Sequence, residues 1–109
     1  MGENEEETTV IYISGRITGV SNFREKFRAA QVILYANIKR AYVINPVIVG
    51  DRLEKEIGRR PTWAEYMRED IRALVVCDAV YMLRGWWRSK GARLEWVIAK
   101  ACGLKIMYE

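Results

Sequence analysis

The feature that most constrains the fold is a series of short, strongly hydrophobic segments separated by helical patterns. The first, TVIYIS at residues 9–14, has apolar side chains at both odd and even positions, which is typical of a strand covered on both faces. Similar segments occur at residues 41–45, 78–83 and 104–108. Strands of this kind alternating with helices predict a parallel sheet with right-handed crossover connections.

Three amphipathic helices are expected between the strands, with apolar residues three and four positions apart. They are predicted at residues 21–39, 62–76 and 89–102. Ser21 is expected to cap the first helix, and Thr62 with Glu65 forms the capping-box pattern that begins the second. Because 109 residues suffice for one modest core, we expect a single α/β domain over residues 9–109.

Ligands of open parallel sheets bind at the carboxyl ends of the strands, near the point where the strand order reverses. Three segments follow strands at that edge: residues 14–20, 46–61 and 84–90. The middle one, with the charged run DRLEKEIGRRP, is predicted to be a long loop, and such loops are often functional. A ligand site is therefore expected where these segments meet.

Composition excludes several classes of function. The chain has no histidine, which rules out Ser-His-Asp and Cys-His nucleophiles and histidine-based zinc sites. No third acidic residue has a convincing spacing for a metal site, so we expect neither a metal nor a cofactor. Cys77 and Cys102 lie in apolar segments and are expected to be free and buried. Acid–base chemistry would then depend on carboxylates, tyrosine, lysine or cysteine.

Charge gives expectations about partners and location. The net charge is +4, but four glutamates within residues 1–7 contribute −4, so the remainder carries +8. A basic domain favours anionic partners, either a phosphorylated small molecule or, less favoured, nucleic acid. No apolar run reaches the roughly 18 residues of a membrane span. Residues 1–8 are expected to form a flexible acidic tail, unlike a signal peptide, so we expect a cytoplasmic protein without membrane contact.

Two carboxylates lie beside the apolar stripes of the predicted helices. Asp70 falls inside the stripe of the second helix, where an unpaired charge is costly. Glu95 lies at the edge of the stripe of the third, predicted as Leu94, Val97, Ile98, Ala101 and Cys102. Asp70 could simply be paired with an arginine or a backbone amide, and Glu95 could be an exposed acid favouring the helix N-terminus. Two carboxylates beside apolar surface also suit glycosidic-bond cleavage.

Two glycine-containing segments are candidate anion sites. SGRITG, after the first strand, offers backbone N–H groups, the Thr18 hydroxyl and the Arg16 guanidinium for a phosphate or for sugar hydroxyls. SKG at residues 89–91 begins the third helix, and Gly91 is expected to leave open space beside Glu95. Either segment could instead be a plain turn.

Aromatic residues could contribute as well. Trp86 and Trp87, between Arg84 and Arg88, could stack on a base of a nucleotide or of single-stranded nucleic acid. They could equally cap the core or form a contact between subunits. Tyr12 lies in the middle of the first strand, where a buried hydroxyl needs a hydrogen-bond partner.

Four segments, taken together, resemble the nucleoside 2-deoxyribosyltransferase-like superfamily, and most closely a group of small bacterial and phage proteins placed beside it. They are IYISGRITG, INP, WAEYMREDIRALVVCDAVYML and GWWRSKGARLEWVIAKACGLKI, which cover nearly all of residues 10–107. The resemblance implies a flavodoxin-like or Rossmann-like three-layer sandwich, with a four-stranded parallel sheet in the order 2-1-3-4, and a homodimer. It also implies hydrolysis of, or transfer at, the N-glycosidic bond of a (deoxy)nucleoside or its 5'-monophosphate.

The resemblance also implies roles for individual residues. Glu95, in the segment S-x-G-x-x-x-E, would be the nucleophile that forms a glycosyl-enzyme intermediate; Asp70 would assist the departing base, and Tyr12 would orient Glu95. The expected substrate-binding residues are Gly15, Arg16, Ile17, Thr18, Gly19, Ser89, Gly91 and Trp86. Hydrolysis is favoured because the residues that transferases supply from a neighbouring subunit have no clear counterpart. The alternative is a non-catalytic nucleotide-binding module.

Overall fold

A computed structural model describes residues 7–109 and shows a four-stranded, all-parallel sheet packed between helices. The strands are β1 (Thr9–Ser14), β2 (Ala41–Ile44), β3 (Ala79–Met82) and β4 (Lys105–Tyr108). The helices are α1 (Phe23–Asn37), α2 (Pro46–Ile57), α3 (Trp63–Leu74) and α4 (Lys90–Ala101), with a 3-10 helix at Trp86–Arg88. Of the predicted acidic tail, residues 1–6 lie outside the described residues.

The strand order β2-β1-β3-β4 confirms the predicted Rossmann-like α/β fold. β1 is central, since Ile11 is paired with Val43 of β2 on one side and with Ala79 of β3 on the other. The chain leaves β1 toward β2 and later returns to β3, so the strand order reverses beside β1. The carboxyl ends of β1 and β3 are therefore where a ligand site is expected.

The core lies on both faces of the sheet. On one face, Phe27 and Leu34 of α1 pack over Ile11 and Ile13 of β1. On the other face, a cluster from the sheet, α3 and α4 comprises Tyr12, Leu74, Cys77, Val80, Met82, Ala92 and Ala99. Both parities of β1 are thus buried, as the TVIYIS pattern predicts.

The prediction of a long loop at residues 46–61 is wrong, because most of that segment forms α2. Pro46 does end β2, but it occupies the first helical turn, where its missing N–H and fixed φ are favourable. The Asn45 side chain caps the helix by accepting a hydrogen bond from the Val47 N–H at 3.0 Å. Gly58 ends it in the left-handed conformation, at φ 72°. The charged run is mostly the solvent face of this helix.

Two smaller predictions are also wrong. Ser21 does not cap α1; Asn22 occupies the N-cap position and makes no side-chain capping bond there. Both cysteines are free, but only Cys77 is buried. Cys102 is exposed because the buried face of α4 ends at Ala99.

Residues 7–109 contain neither a membrane-spanning helix nor a cluster of metal-ligating side chains. No helix there is long and apolar enough to cross a membrane. Within the same residues, no group of three or more histidine, cysteine, aspartate or glutamate side chains is placed to hold a metal ion.

Candidate functional site

A cavity of about 740 Å³ opens at the carboxyl edge of the sheet, and we call it the main cavity. Its volume is in the range of small-molecule sites. It brings together nine of the residues predicted from the sequence: Tyr12, Gly15, Ile17, Thr18, Gly19, Asp70, Ser89, Gly91 and Glu95. The loop after β1 and the start of α4 therefore meet, with the two candidate carboxylates between them.

Arg16 and Trp86, both predicted to bind substrate, do not line the main cavity. The Arg16 Nε donates a hydrogen bond to the Thr18 carbonyl at 3.1 Å, and the side chain lines a different cavity. Trp86 stacks on Trp96 with 5.6 Å between ring centroids, within the apolar cluster that includes α4. The hydrogen bond to the backbone directs Arg16 away from the main cavity, and packing against Trp96 does the same for Trp86.

Glu95 reaches the cavity because α4 turns a face of small residues toward the sheet. The buried residues of α4 are Ala92, Glu95 and Ala99, at spacings of three and four. The predicted apolar stripe is wrong, since Leu94 and Val97 are exposed. Alanine side chains let α4 lie close to the sheet. Because Glu95 lies between Ala92 and Ala99 on this face, it is buried with them.

The Glu95 carboxyl group is held by two hydroxyls from one face of β1. The Tyr12 hydroxyl donates to Oε2 at 2.7 Å, and the Ser14 hydroxyl donates to Oε1 at 2.6 Å. Side chains two residues apart on a strand point to the same face, so both can reach one carboxyl group. Glu95 is 5% exposed, and Tyr12 and Ser14 are fully buried. Both oxygens of Glu95 are thus fixed relative to the sheet.

Burial controls the ionisation of this cluster. It raises the pKa of Glu95 to about 7, while the hydrogen bonds from Ser14 and Tyr12 act in the opposite direction. Burial, followed by the charges of Glu95 and Asp70, holds the pKa of Tyr12 well above its usual value. Tyr12 therefore remains a hydrogen-bond donor at neutral pH, where Glu95 can exist in either form.

Asp70, on α3, is the second carboxyl group of the main cavity. Its Oδ1 is buried and has no hydrogen-bond partner among the described residues, an arrangement that destabilises a folded protein unless a ligand or water completes it. Burial raises the pKa of Asp70 to about 8, with smaller contributions from the charges of Glu95 and Glu69. At neutral pH Asp70 is therefore mainly a neutral acid that can donate a proton.

Two glycines allow the surrounding elements to come close. A Cβ at Gly91 would lie 3.2 Å from the Met67 Sδ, so this glycine lets α4 approach α3. The open space predicted beside Glu95 is therefore partly filled by Met67. A Cβ at Gly15 would lie 2.8 Å from the Leu83 Cδ1, so Gly15 lets the segments after β1 and β3 pass closely.

The outer wall of the main cavity is charged. Arg24 and Asp51 form a bidentate ion pair, with both N–O distances 2.8 Å, that joins α1 to α2. Glu54 and Arg60 contribute to the same wall. The guanidinium of Arg24 lowers the pKa of Asp51. Half-exposed ion pairs of this kind contribute about 1 kcal/mol or less to stability, so their main effect is on the charge met by a ligand.

Sequence reasoning missed several of these residues. Ser14 could have been found, because it follows Tyr12 by two positions and must share its strand face. Asp51 and Glu54 lie in the segment predicted to be a loop, although their spacing of three places them on one side of a helix. The overlooked signal was the Asn45–Pro46 pair, a helix cap followed by a favourable first residue.

Comparison with known proteins identifies the family to which the chain belongs. No curated protein matches the sequence at a significant level. A family model described as a domain of unknown function, DUF4406, matches residues 9–108, which include all four strands and all four helices. The chain therefore belongs to the DUF4406 family.

Proposed function

We propose that the protein hydrolyses the N-glycosidic bond of a (deoxy)nucleoside or its 5'-monophosphate, with Glu95 as the nucleophile. The observation that carries this proposal is the Glu95 carboxyl group, buried and held by Tyr12 and Ser14, on the wall of a cavity of about 740 Å³. The resemblance of IYISGRITG and GWWRSKGARLEWVIAKACGLKI to nucleoside 2-deoxyribosyltransferase-like proteins supports this choice of reaction.

In the first step, ionised Glu95 attacks the anomeric carbon of the sugar. A C–O bond to the carboxylate forms as the C–N bond to the base breaks, and the base takes the bonding electron pair. Neutral Asp70 supplies a proton to the departing base. The hydroxyls of Tyr12 and Ser14 keep the carboxylate in place, so little reorganisation is needed before attack.

In the second step, water attacks the glycosyl ester. Asp70, now ionised, accepts a proton from the water, the C–O bond to Glu95 breaks, and the free sugar leaves. Asp70 regains its proton and Glu95 its negative charge, so both groups return to their starting forms.

The same steps set the pH dependence. Glu95 must be ionised and has a pKa of about 7, whereas Asp70 must be protonated and has a pKa of about 8. We expect a bell-shaped dependence of kcat/KM on pH with its maximum between these values. In the Asp70→Asn variant the alkaline limb should disappear and the maximum rate should fall, which a pH–rate profile would detect.

The decisive test is a chromatographic assay of base release from deoxynucleosides, ribonucleosides and their 5'-monophosphates. In Glu95→Gln, which keeps the shape of the side chain, release should fall by about a thousandfold or more. Glu25→Gln on α1 is the matched control, because Glu25 is exposed and outside the main cavity. Undiminished release by Glu95→Gln would contradict the nucleophile assignment.

The alternative, a non-catalytic nucleotide-binding module, uses the same cavity and is distinguished by the same samples. If no substrate is cleaved by the wild-type protein but a nucleotide raises its Tm, binding without turnover is the better description. Retention of that ligand-dependent shift in Glu95→Gln would also show that a loss of release is not a loss of fold.

The homodimer and the cytoplasmic location remain predictions. The exposed face of α4 carries Leu94 and Val97, the latter 55% exposed, and apolar side chains in water are commonly used at interfaces between subunits. Light scattering coupled to gel filtration would measure the mass in solution, and a monomer at all concentrations would contradict the dimer.

A further inference from the structure

A second cavity, of about 450 Å³, lies at the same edge of the sheet and has a different character. We call it the second cavity; its lining includes Arg16, Lys26, Leu83, Arg84, Arg88 and Glu109. It belongs to the α1 face, because Lys26 is on α1 and Leu83 packs in the cluster beneath that helix. The loop after β1 separates it from the main cavity, and Val20 lines both.

Its charges are strongly unbalanced. Its lining includes four cationic residues, Arg16, Lys26, Arg84 and Arg88, and one acidic residue, Glu109. The Glu109 Oε1 already accepts a hydrogen bond from the backbone N–H of Arg84 at 2.7 Å. Among the described residues, the side chains of Lys26, Arg84 and Arg88 are in no ion pair. By contrast, Arg24 and Arg59 are each joined to a carboxylate by two hydrogen bonds.

The cationic side chains are carried by backbone of fixed conformation. Gly85, in the left-handed region at φ 83°, turns the chain after β3. The Trp86 N–H then donates to the Leu83 carbonyl at 3.1 Å, and the Arg88 N–H donates to the Gly85 carbonyl at 3.0 Å. Arg84 and Arg88 are thus brought to one cavity by a bonded turn and not by a chance meeting of two mobile chains.

We propose that the second cavity binds phosphate groups, carried either by a small oligophosphate molecule or by the phosphodiester backbone of single-stranded nucleic acid. Guanidinium groups match phosphate oxygens with paired hydrogen bonds, and several clustered cations exceed what a single carboxylate ligand would neutralise. The concave shape, with Ala29 and Gly85 in the wall, leaves room between the cations. No residue of the proposed glycosidase chemistry is involved, so this inference stands without it.

The test is calorimetric titration of the full-length protein with inorganic tripolyphosphate at low salt. The wild-type protein should bind, and Arg84→Ala/Arg88→Ala should bind about tenfold more weakly or worse. Arg52→Ala/Lys55→Ala is the matched control: it removes the same charge from exposed positions on α2 that line neither cavity. It should bind as the wild type does, and so should Glu95→Gln.

The Arg84 substitution keeps the backbone N–H that Glu109 accepts, so the double variant should fold, and an unchanged Tm would verify this. The proposal would be overturned if the two double variants had equal affinities both for tripolyphosphate and for the oligonucleotide used in the second titration. It would also be overturned if the wild-type protein bound neither probe.

A second titration, with a single-stranded oligonucleotide of ten nucleotides at two salt concentrations, distinguishes the sources of phosphate. Selective loss of oligonucleotide binding in Arg84→Ala/Arg88→Ala, with a steep salt dependence, supports the nucleic-acid backbone. Selective loss with tripolyphosphate alone supports a small molecule. Oligonucleotide binding that weakens equally in the α2 control would show diffuse attraction by a basic surface and count against a site.

Discussion

The two cavities share the loop after β1, yet they are built in opposite ways. In the main cavity the functional groups are carboxyl and hydroxyl groups, and Glu95, Tyr12 and Ser14 are all buried. In the second cavity they are the ends of arginine and lysine side chains that remain exposed to solvent. The carboxyl and hydroxyl groups of the main cavity therefore lie within the buried core, whereas the cations of the second cavity lie on the protein surface. Substitutions at the first should change stability and chemistry together, and those at the second should change binding alone.

The largest effect on stability is expected at Gly15, which lies in the loop between the two cavities and allows Leu83 to approach closely. In Gly15→Ala the new Cβ would lie 2.8 Å from the Leu83 Cδ1 and 2.9 Å from the Leu83 Cβ. Relief requires movement of the segment after β3, and we expect a loss of about 3 kcal/mol in the free energy of unfolding. Urea denaturation would measure it. A loss below about 1 kcal/mol would show that the segments after β1 and β3 can move apart without disturbing the rest of the fold.

Next comes Ser14→Ala, which removes one of the two hydroxyls that bind Glu95. Because that hydrogen bond lowers the pKa of Glu95, the acid limb of the pH–rate profile should move to higher pH. Stability at pH 9 should fall by about 2 kcal/mol, since a buried carboxylate loses a donor. At pH 5, where Glu95 is neutral, the loss should be smaller. An unshifted acid limb would indicate that a group other than Glu95 controls it.

Asp70→Asn should change the way in which the stability of the protein depends on pH. Asp70 has a pKa of about 8 in the folded protein and 3.8 ordinarily, so between these values the folded state keeps a proton that the unfolded state has lost. Stability of the wild type therefore falls as pH rises through this window. The stability of the variant relative to wild type should therefore rise between pH 5 and pH 9. Denaturation at both pH values measures this difference in stability. If Asp70 has an ordinary pKa, the difference should be the same at pH 5 and pH 9.

The smallest effect on stability is expected for Arg84→Ala/Arg88→Ala. Both side chains are exposed and in no ion pair among the described residues, so the free energy of unfolding should change by no more than about 0.5 kcal/mol. Thermal and urea unfolding would measure this. A loss of unfolding free energy as large as that of Ser14→Ala would contradict the proposed difference between the two cavities.

Most of the fold could be predicted because its signals are local. Apolar residues at both parities of TVIYIS identify a strand buried on two faces, and Thr62 with Glu65 marks the start of α3, where both capping bonds form. The strand order came from the resemblance and the sheet confirms it. α2 was missed because Pro46 ends a strand and begins a helix, two roles that a pattern of hydrophobic residues does not separate.

The site was harder to predict, because side-chain direction depends on tertiary packing. The buried face of α4 is made of alanines around Glu95, while the more hydrophobic Leu94 and Val97 face solvent. A hydrophobic pattern therefore selects the wrong face. Arg16 follows the strand that carries Tyr12 and Ser14, but its bond to the Thr18 carbonyl turns it to the other cavity. No spacing rule anticipates a bond of that kind in a loop.

Because the two cysteines have different surroundings, their reactivities can be used to measure transient opening of the hydrophobic core. Cys77 is buried, donates a hydrogen bond to the Ala73 carbonyl at 3.2 Å, and has its pKa raised to about 11 by burial and the charge of Asp78. Cys102 is exposed. Since thiolates are the reactive form, an alkylating reagent should modify Cys102 in the native protein and Cys77 only when the core beneath α3 separates. The reaction of Cys102 then measures the total amount of protein, and the rate of the reaction of Cys77 measures how often that core opens.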